Sequence, residues 1–150
     1  MKMKFFFVVF FPLLLAPHHS VADGKSTVKN EYVRCEIVLQ QKELKAGSSG
    51  YVLFSFMSKK GFHVTTDPPF QISLDTLQQF FTLGKAEFSK DTNGYLSPEQ
   101  TVRQPLTVAK MVVPGSYDLK GTLIYYYCSE SDGWCSRFKQ PIELTLKITK

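Results

Sequence analysis

Apolar and polar residues alternate along several stretches of the chain. Residues 142–149 alternate strictly, with isoleucine or leucine at every even position. Residues 33–39 and 119–127 show the same period of two, and residues 51–57 are rich in residues that favour strands. A period of two places alternate side chains on one face of a β-strand. Each of these stretches is therefore predicted to be a strand with one buried face.

Turn signals separate the predicted strands, and residues 102–113 add an extended segment. Pro105 interrupts that segment, which favours an edge position because proline cannot donate a ladder hydrogen bond. The pattern shows no helical stripe beyond a single turn at residues 74–81. Short strands between Gly- and Pro-rich turns are typical of a sandwich or barrel. We therefore predict an all-β, immunoglobulin-like antiparallel β-sandwich of about seven to nine strands. The turn signals are Ala46-Gly47-Ser48-Ser49-Gly50, Asp67-Pro68-Pro69, Asn93-Gly94, Pro114-Gly115 and Asp132-Gly133.

The first 22 residues have the pattern of a secretory signal peptide. Two lysines precede an apolar run over residues 5–16, and small residues end the segment at Ala22. The alternative is an uncleaved membrane anchor, but the run is shorter than the ~20 residues that span a bilayer, and Pro12 interrupts it. We expect cleavage after Ala22 and a periplasmic or otherwise exported location. Residues 23–150 are then one mature domain without a membrane span.

Composition and charge argue against several classes of function. The 150-residue chain is 43% hydrophobic, which is enough for a packed core. Without the signal peptide, 16 basic residues face 13 acidic ones, and their signs are interspersed, so no nucleic-acid partner is indicated. Of three cysteines and three histidines, two histidines fall in the predicted signal peptide, so a four-ligand zinc site has almost nothing to be built from, and no nucleotide-binding motif occurs. We expect no metal and no cofactor. His63 is interpreted as a structural or hydrogen-bonding residue, because no motif places a nucleophile beside it.

The three cysteines divide into a predicted core residue and a pair. Cys35 falls on the apolar face of the strand at residues 33–39, where a lone cysteine is most simply a small hydrophobic residue. Cys128 and Cys135 flank the turn signal Asp132-Gly133. If the flanking segments pair as an antiparallel hairpin, facing residues have Cα atoms about 4.5–5.5 Å apart, a separation that a disulfide accepts. The spacing therefore permits a bond across the mouth of a hairpin.

Such a bond could be structural or reactive. Small exported β domains often carry one structural disulfide. This bond would close a loop of only eight residues, for which the loop-entropy model gives roughly 2.5 kcal/mol. Its position near a turn would expose it to another thiol, as exchange requires. Tyr126 and Trp134 could form an aromatic wall beside the cysteines, although core or cross-strand packing is the simpler explanation for each of them singly.

Three stretches resemble the N-terminal domain of the DsbD family of bacterial thiol–disulfide interchange proteins. The resemblance spans most of residues 30–148. The stretches are Leu44-Lys45-Ala46-Gly47 with Gly61-Phe62-His63-Val64, then Leu83-Gly84-Lys85-Ala86-Glu87-Phe88, and finally Tyr126-Tyr127-Cys128 through Gly133-Trp134-Cys135.

The resemblance implies an immunoglobulin-like module whose cysteines cycle between dithiol and disulfide. A thioredoxin-like protein or domain would reduce the pair, which would then reduce exported disulfide-containing proteins. Cys135 would enter the mixed disulfide and Cys128 would resolve it. Phe81 corresponds to an aromatic ring that caps the cysteines in the family, or else is plain core, and Glu87 matches the family's Gly-Lys-x-Glu segment.

The sequence therefore leaves two hypotheses for the function of this protein. The first is an exported thiol–disulfide interchange module; whether it is an enzyme of the protein-disulfide reductase class stays open. Because the chain stops at Lys150 without the family's other domains, we expect such a module to receive electrons from a separate protein. The second is a non-catalytic immunoglobulin-like protein-binding domain with a structural hairpin disulfide.

Overall fold

The computed structural model describes residues 25–75, 79–97 and 101–150, and the predicted signal peptide over residues 1–22 lies outside them. Ten strands and no helix form in these ranges. Accordingly, none of the described residues belongs to a helix long and apolar enough to cross a bilayer. The strands are β1 Lys25–Lys29, β2 Val33–Leu39, β3 Glu43–Lys45, β4 Ser49–Ser58, β5 Phe62–Thr65, β6 Gln71–Leu74, β7 Phe81–Leu83, β8 Thr101–Val108, β9 Gly115–Ser129 and β10 Cys135–Thr149.

The ten strands form two sheets. One has the order β1-β2-β4-β8-β7, and the other has the order β3-β10-β9-β5, with β6 also pairing with β9. Neighbouring strands are antiparallel, except that β3 runs parallel to β10. The predicted all-β, immunoglobulin-like sandwich is confirmed. The strand number is higher than expected because short strands such as β3 and β7, of three residues each, have no visible period in the sequence.

The core lies between the sheets and follows the predicted alternation. In β9 the odd-numbered residues from Leu119 to Tyr127 are buried, and in β10 the even-numbered residues from Gln140 to Ile148 are buried. Burying one large apolar side chain contributes about 1.5–3 kcal/mol, so this alternation determines which face of each strand points inward. The even-numbered positions of β9 and the odd-numbered positions of β10 therefore lie on the outer face of their sheet.

β8 is an interior strand, which corrects the edge position predicted for residues 102–113. It lies between β4 and β7. The Pro105 carbonyl accepts a hydrogen bond from Gly84 N at 3.0 Å, so the proline nitrogen faces the same neighbouring segment. That segment leaves the regular ladder after Leu83 and pairs again at Glu87, opposite Arg103. The missing N–H of Pro105 therefore falls where the sheet needs no donor.

Cys35 is buried and free, as predicted. Burial raises the pKa of its thiol far above the ordinary value. Its carbonyl accepts a hydrogen bond from Nε2 of Gln140 at 3.3 Å, and Gln140 is itself fully buried. This bond joins the two sheets through the core, because Cys35 lies in β2 and Gln140 in β10. Burial, followed by the proximity of Cys35, also raises the pKa of Tyr125.

Cys35 is expected to stay unlabelled when the folded protein is treated with a thiol reagent. Burial keeps this thiol protonated and out of reach, and only the thiolate reacts. After reduction of the disulfide, intact mass spectrometry should show two carbamidomethyl groups on the folded protein and three on the protein in denaturant. Rapid uptake of a third group by the folded protein would contradict this prediction.

Candidate functional site

Cys128 and Cys135 form a disulfide at the mouth of the β9–β10 hairpin. They are direct partners in the antiparallel register, and their Cα atoms are 4.0 Å apart. The amide of Ser129 donates to the Trp134 carbonyl at 2.9 Å, one position nearer the turn. Because hydrogen-bonded and non-hydrogen-bonded pairs alternate, the cysteines occupy a non-hydrogen-bonded pair, where facing side chains come closest. The hairpin pairing that the sequence permitted is confirmed.

The turn that joins the cysteines is ordered by short-range hydrogen bonds. The Ser129 hydroxyl donates to Oδ2 of Asp132 at 2.8 Å, and Gly133 N donates to the Ser129 carbonyl at 3.2 Å. Gly133 has a φ of 65°, a conformation that a residue with a Cβ adopts at a cost. The predicted Asp132-Gly133 reversal therefore positions the cysteine pair.

The two cysteines differ in exposure. The disulfide lies on the outer face of its sheet, away from the core between the sheets. Cys128 is only 8% exposed, whereas Cys135 is exposed. A thiolate attacks a disulfide along the sulfur–sulfur axis and needs access to one sulfur. Cys135 therefore offers the accessible side of the bond, and Cys128 is the sulfur that attack there would release.

His63 lies directly beside Cys128, on the side opposite Cys135. It is the partner of Cys128 in the antiparallel pairing of β5 with β9, so His63, Cys128 and Cys135 share one rung of the outer face. Sequence reasoning placed no nucleophile beside His63, because local patterns do not reveal which distant strands become neighbours. The period of two shows which face His63 occupies, and only the register shows that Cys128 is next to it.

Two further side chains hold the His63 ring. Nε2 of His63 lies 2.7 Å from Oε1 of Glu130, and the ring stacks on Tyr95 with centroids 4.8 Å apart and planes at 17°. The Glu130 contact is an ion pair when the ring is protonated, and the buried Nε2 has no hydrogen-bond partner. The imidazole is thus fixed between a carboxylate and an aromatic ring.

The predicted aromatic wall divides between the two faces of the hairpin. Trp134 packs inward against Tyr32, Phe62 and Tyr127, with ring centroids 5.6–6.0 Å apart. Tyr126 lies on the outer face, in the rung next to the cysteines. Trp134 therefore supports the hairpin from the core side, and Tyr126 shares the face of the disulfide.

Phe81 and Glu87 belong to the other sheet. Phe81 is 2% exposed in β7, and its ring contacts Tyr117 at a centroid distance of 5.6 Å. Tyr117 is near the start of β9 and Cys128 near its end, roughly 35 Å away at about 3.3 Å per residue. Glu87 is exposed, and its backbone forms an isolated β-bridge with Arg103 of β8. The structure therefore does not bring Phe81 to the cysteines, because its ring is part of the core at the far end of the sandwich.

An open groove of about 540 Å³ begins beside His63. Its walls combine apolar side chains with two lysines and the Glu130 carboxylate. Across the part of the chain that the structure describes, no three side chains are grouped so that they could hold a metal ion. The residues that line the groove include Met57, Lys59, Lys60, Phe62, Leu96 and Glu130.

The fold is similar to two solved domains. One is the GAE domain of GGA2p from Saccharomyces cerevisiae, with a TM-score of 0.53 and 10% identity over 80% of this chain and 96% of that chain. The other is the N-terminal periplasmic domain of ScsB from Proteus mirabilis, with a TM-score of 0.53 and 10% identity over 81% of this chain and 49% of that chain. No protein-family profile and no curated protein matches the sequence. At this identity the similarity shows the fold, and the match spans about half of the ScsB chain.

Proposed function

We propose that this protein is an exported thiol–disulfide interchange module of the DsbD N-terminal type. It would pass reducing equivalents between a thioredoxin-like dithiol and exported disulfide-containing proteins. The proposal rests on one observation, a hairpin-mouth disulfide on the outer face with one exposed and one buried cysteine. The fold shared with a periplasmic domain and the leader pattern over residues 1–22 support an exported location.

The exposure of Cys135 determines the order of bond changes. A partner thiolate attacks Sγ of Cys135, the bond between the cysteines breaks, and its electron pair goes to Sγ of Cys128. The partner's second thiolate then attacks its own sulfur in the mixed disulfide and releases the Cys135 thiolate. Two electrons have entered the module. In the opposite step, Cys135 attacks the disulfide of an exported protein, and Cys128 resolves the adduct.

The hairpin does not depend on the disulfide for its geometry. β9 and β10 are each 15 residues long and pair along nearly their whole length. Closing an eight-residue loop adds only roughly 2.5 kcal/mol in the loop-entropy model. Reduction should therefore leave the fold intact, as a module that cycles between dithiol and disulfide requires.

The reduction potential of the Cys128–Cys135 bond is the test of the proposal. We expect a value between about −270 and −180 mV, the range of thioredoxin-type and isomerase-type couples. The protein is equilibrated in glutathione or dithiothreitol buffers, quenched by alkylation and quantified by mass, in a Cys35→Ala background that leaves only the two exchanging thiols. The same variant is then mixed with a reduced thioredoxin.

Two results together would overturn the proposal. They are a potential below about −300 mV, where structural disulfides lie, and no reduction by the thioredoxin. That combination would favour the alternative function, a non-catalytic protein-binding domain with a structural bond.

A further inference from the structure

We infer that His63 gives a proton to the Cys128 thiolate when exchange releases it, and takes the proton back when Cys128 attacks. Glu130 and Tyr95 are the positioning residues that hold the ring for this task. The inference rests on the proposed function, because it names the proton donor for that exchange.

The register makes His63 and Cys128 direct neighbours on the outer face of the sheet. Facing residues of an antiparallel pair have Cβ atoms about 4.5–5.5 Å apart and point to the same face. His63 and Cys128 are such a pair. Cys135 occupies the other side of Cys128 in the same rung. A partner that attacks Cys135 therefore arrives on one side of Cys128, and the imidazole stands on the other.

The surroundings hold the imidazole while leaving it in contact with water. The Glu130 carboxylate lies 2.7 Å from Nε2, and Glu130 follows Cys128 by only two residues. Tyr95 stacks on the ring, and the amide of Leu96 donates to the Val64 carbonyl at 2.8 Å, which fixes this segment against β5. The His63 side chain is 29% exposed, although its Nε2 atom is buried.

The proton transfer balances the charge of the step. Attack on Cys135 leaves an electron pair and a negative charge on Sγ of Cys128. A protonated imidazole transfers one proton to that sulfur, which gives a neutral thiol and a neutral ring. In resolution the neutral ring accepts the proton, and the Cys128 thiolate attacks the mixed disulfide. Histidine suits this role because imidazole changes charge between about pH 5 and 8, whereas a free thiol has a pKa of about 8.5.

The titratable and charged groups around His63 come from every neighbouring element. They define which other residues could shape a pH profile. They are Cys128 and Tyr126 of β9, Glu130 of the hairpin turn, Tyr95 of the segment paired with β5, Lys59 and Lys60 of the β4–β5 turn, and Cys135 and Arg137 of β10.

The pH profile of disulfide reduction by dithiothreitol tests the inference. The rate constant is expressed per thiolate of dithiothreitol, so that the titration of the reagent cancels. For the wild type we expect this constant to rise as the pH falls from about 8.5 to 5.5, because the imidazole becomes protonated. For His63→Gln we expect a flat profile, with a rate about tenfold lower at pH 6 and within about twofold at pH 8.5.

Two further variants separate chemistry from structure. Glu130→Gln tests the positioning role, because it removes the carboxylate charge that lies 2.7 Å from Nε2. Glu43→Gln is the matched control, since Glu43 is also an exposed carboxylate in a 2.7 Å ion pair, with Lys147 on another part of the sheet. It should reproduce the wild-type profile. If His63→Gln fails to fold by circular dichroism, His63→Asn replaces it.

A wild-type profile that is flat, or one that His63→Gln reproduces, would overturn the inference. Dithiothreitol reduces accessible disulfides whether or not the protein has a redox partner. A His63-dependent profile in a protein whose bond has a potential in the structural range and that no thioredoxin reduces would therefore overturn the proposed function and still support the role of His63.

Discussion

Replacing Cys135 with serine is expected to abolish thiol–disulfide exchange, with a loss of at least about a thousandfold. Cys135 is exposed and would form the mixed disulfide, whereas Cys128 is 8% exposed and inaccessible to a folded partner. Cys128→Ser is expected to behave differently. Its remaining Cys135 thiolate can still attack a substrate disulfide, so a stable mixed disulfide should accumulate because nothing resolves it.

Non-reducing gels and intact mass spectrometry with a disulfide-containing acceptor protein measure both outcomes. Cys35→Ala is the control, because Cys35 is buried and free in the core. Thermal unfolding checks that each serine variant has lost no more than roughly 2.5 kcal/mol, the loop-closure contribution of the disulfide. Trapping by Cys135→Ser instead of Cys128→Ser would reverse the assigned roles. Unchanged exchange in both variants would show that Cys128 and Cys135 are not the exchanging thiols.

Gly121→Ala is expected to destabilise the protein by about 3 kcal/mol. Gly121 is a buried residue in the middle of β9, and it faces Leu74 of β6. A Cβ at this position would overlap the backbone carbonyl oxygen of Ser73. Because the obstacle is backbone, it cannot rotate away as a side chain would. The pairing of β6 with β9 must therefore shift or break.

Gly115→Ala is the matched control in the same strand. A Cβ there would lie 3.8 Å from the Tyr117 ring, which is an ordinary contact. We expect its free energy of unfolding to stay within about 0.5 kcal/mol of the wild type. Urea unfolding followed by the fluorescence of Trp134 measures both variants. Equal stability of Gly121→Ala and Gly115→Ala would contradict the close approach of β6 to β9.

Much of the cysteine site could be predicted from local sequence. The Asp132-Gly133 turn and the alternation on its two sides place Cys128 and Cys135 opposite each other, because a hairpin turn sets the register of the strands that it joins. The difference in exposure between Cys128 and Cys135 could not be predicted from the local sequence. It depends on what covers Cys128, and one of its neighbours, His63, is 65 positions earlier in the chain.

Phe81 illustrates the same limit. Its place in the chain, just before the Gly84 segment, made it a candidate for the ring over the cysteines. The side chain is instead buried against Tyr117, because β7 pairs with the end of β8 at Phe81 and Val108. β8 itself is interior although it contains Pro105, since the facing segment leaves the ladder at that position. No local sequence pattern indicates that Phe81 is buried against Tyr117 or that β8 is an interior strand.

The sequence by itself determined the five longer strands β2, β4, β8, β9 and β10, the all-β class and the hairpin that joins the cysteines. These features follow from the period of two and from turn chemistry, which act over a few residues. Only the tertiary structure decided which strands became neighbours, and so brought His63 to Cys128 and Glu130 and left Phe81 at the opposite end. Strand order depends on how the buried faces of distant segments pack together, and residue alternation shows which face is buried but not what it faces.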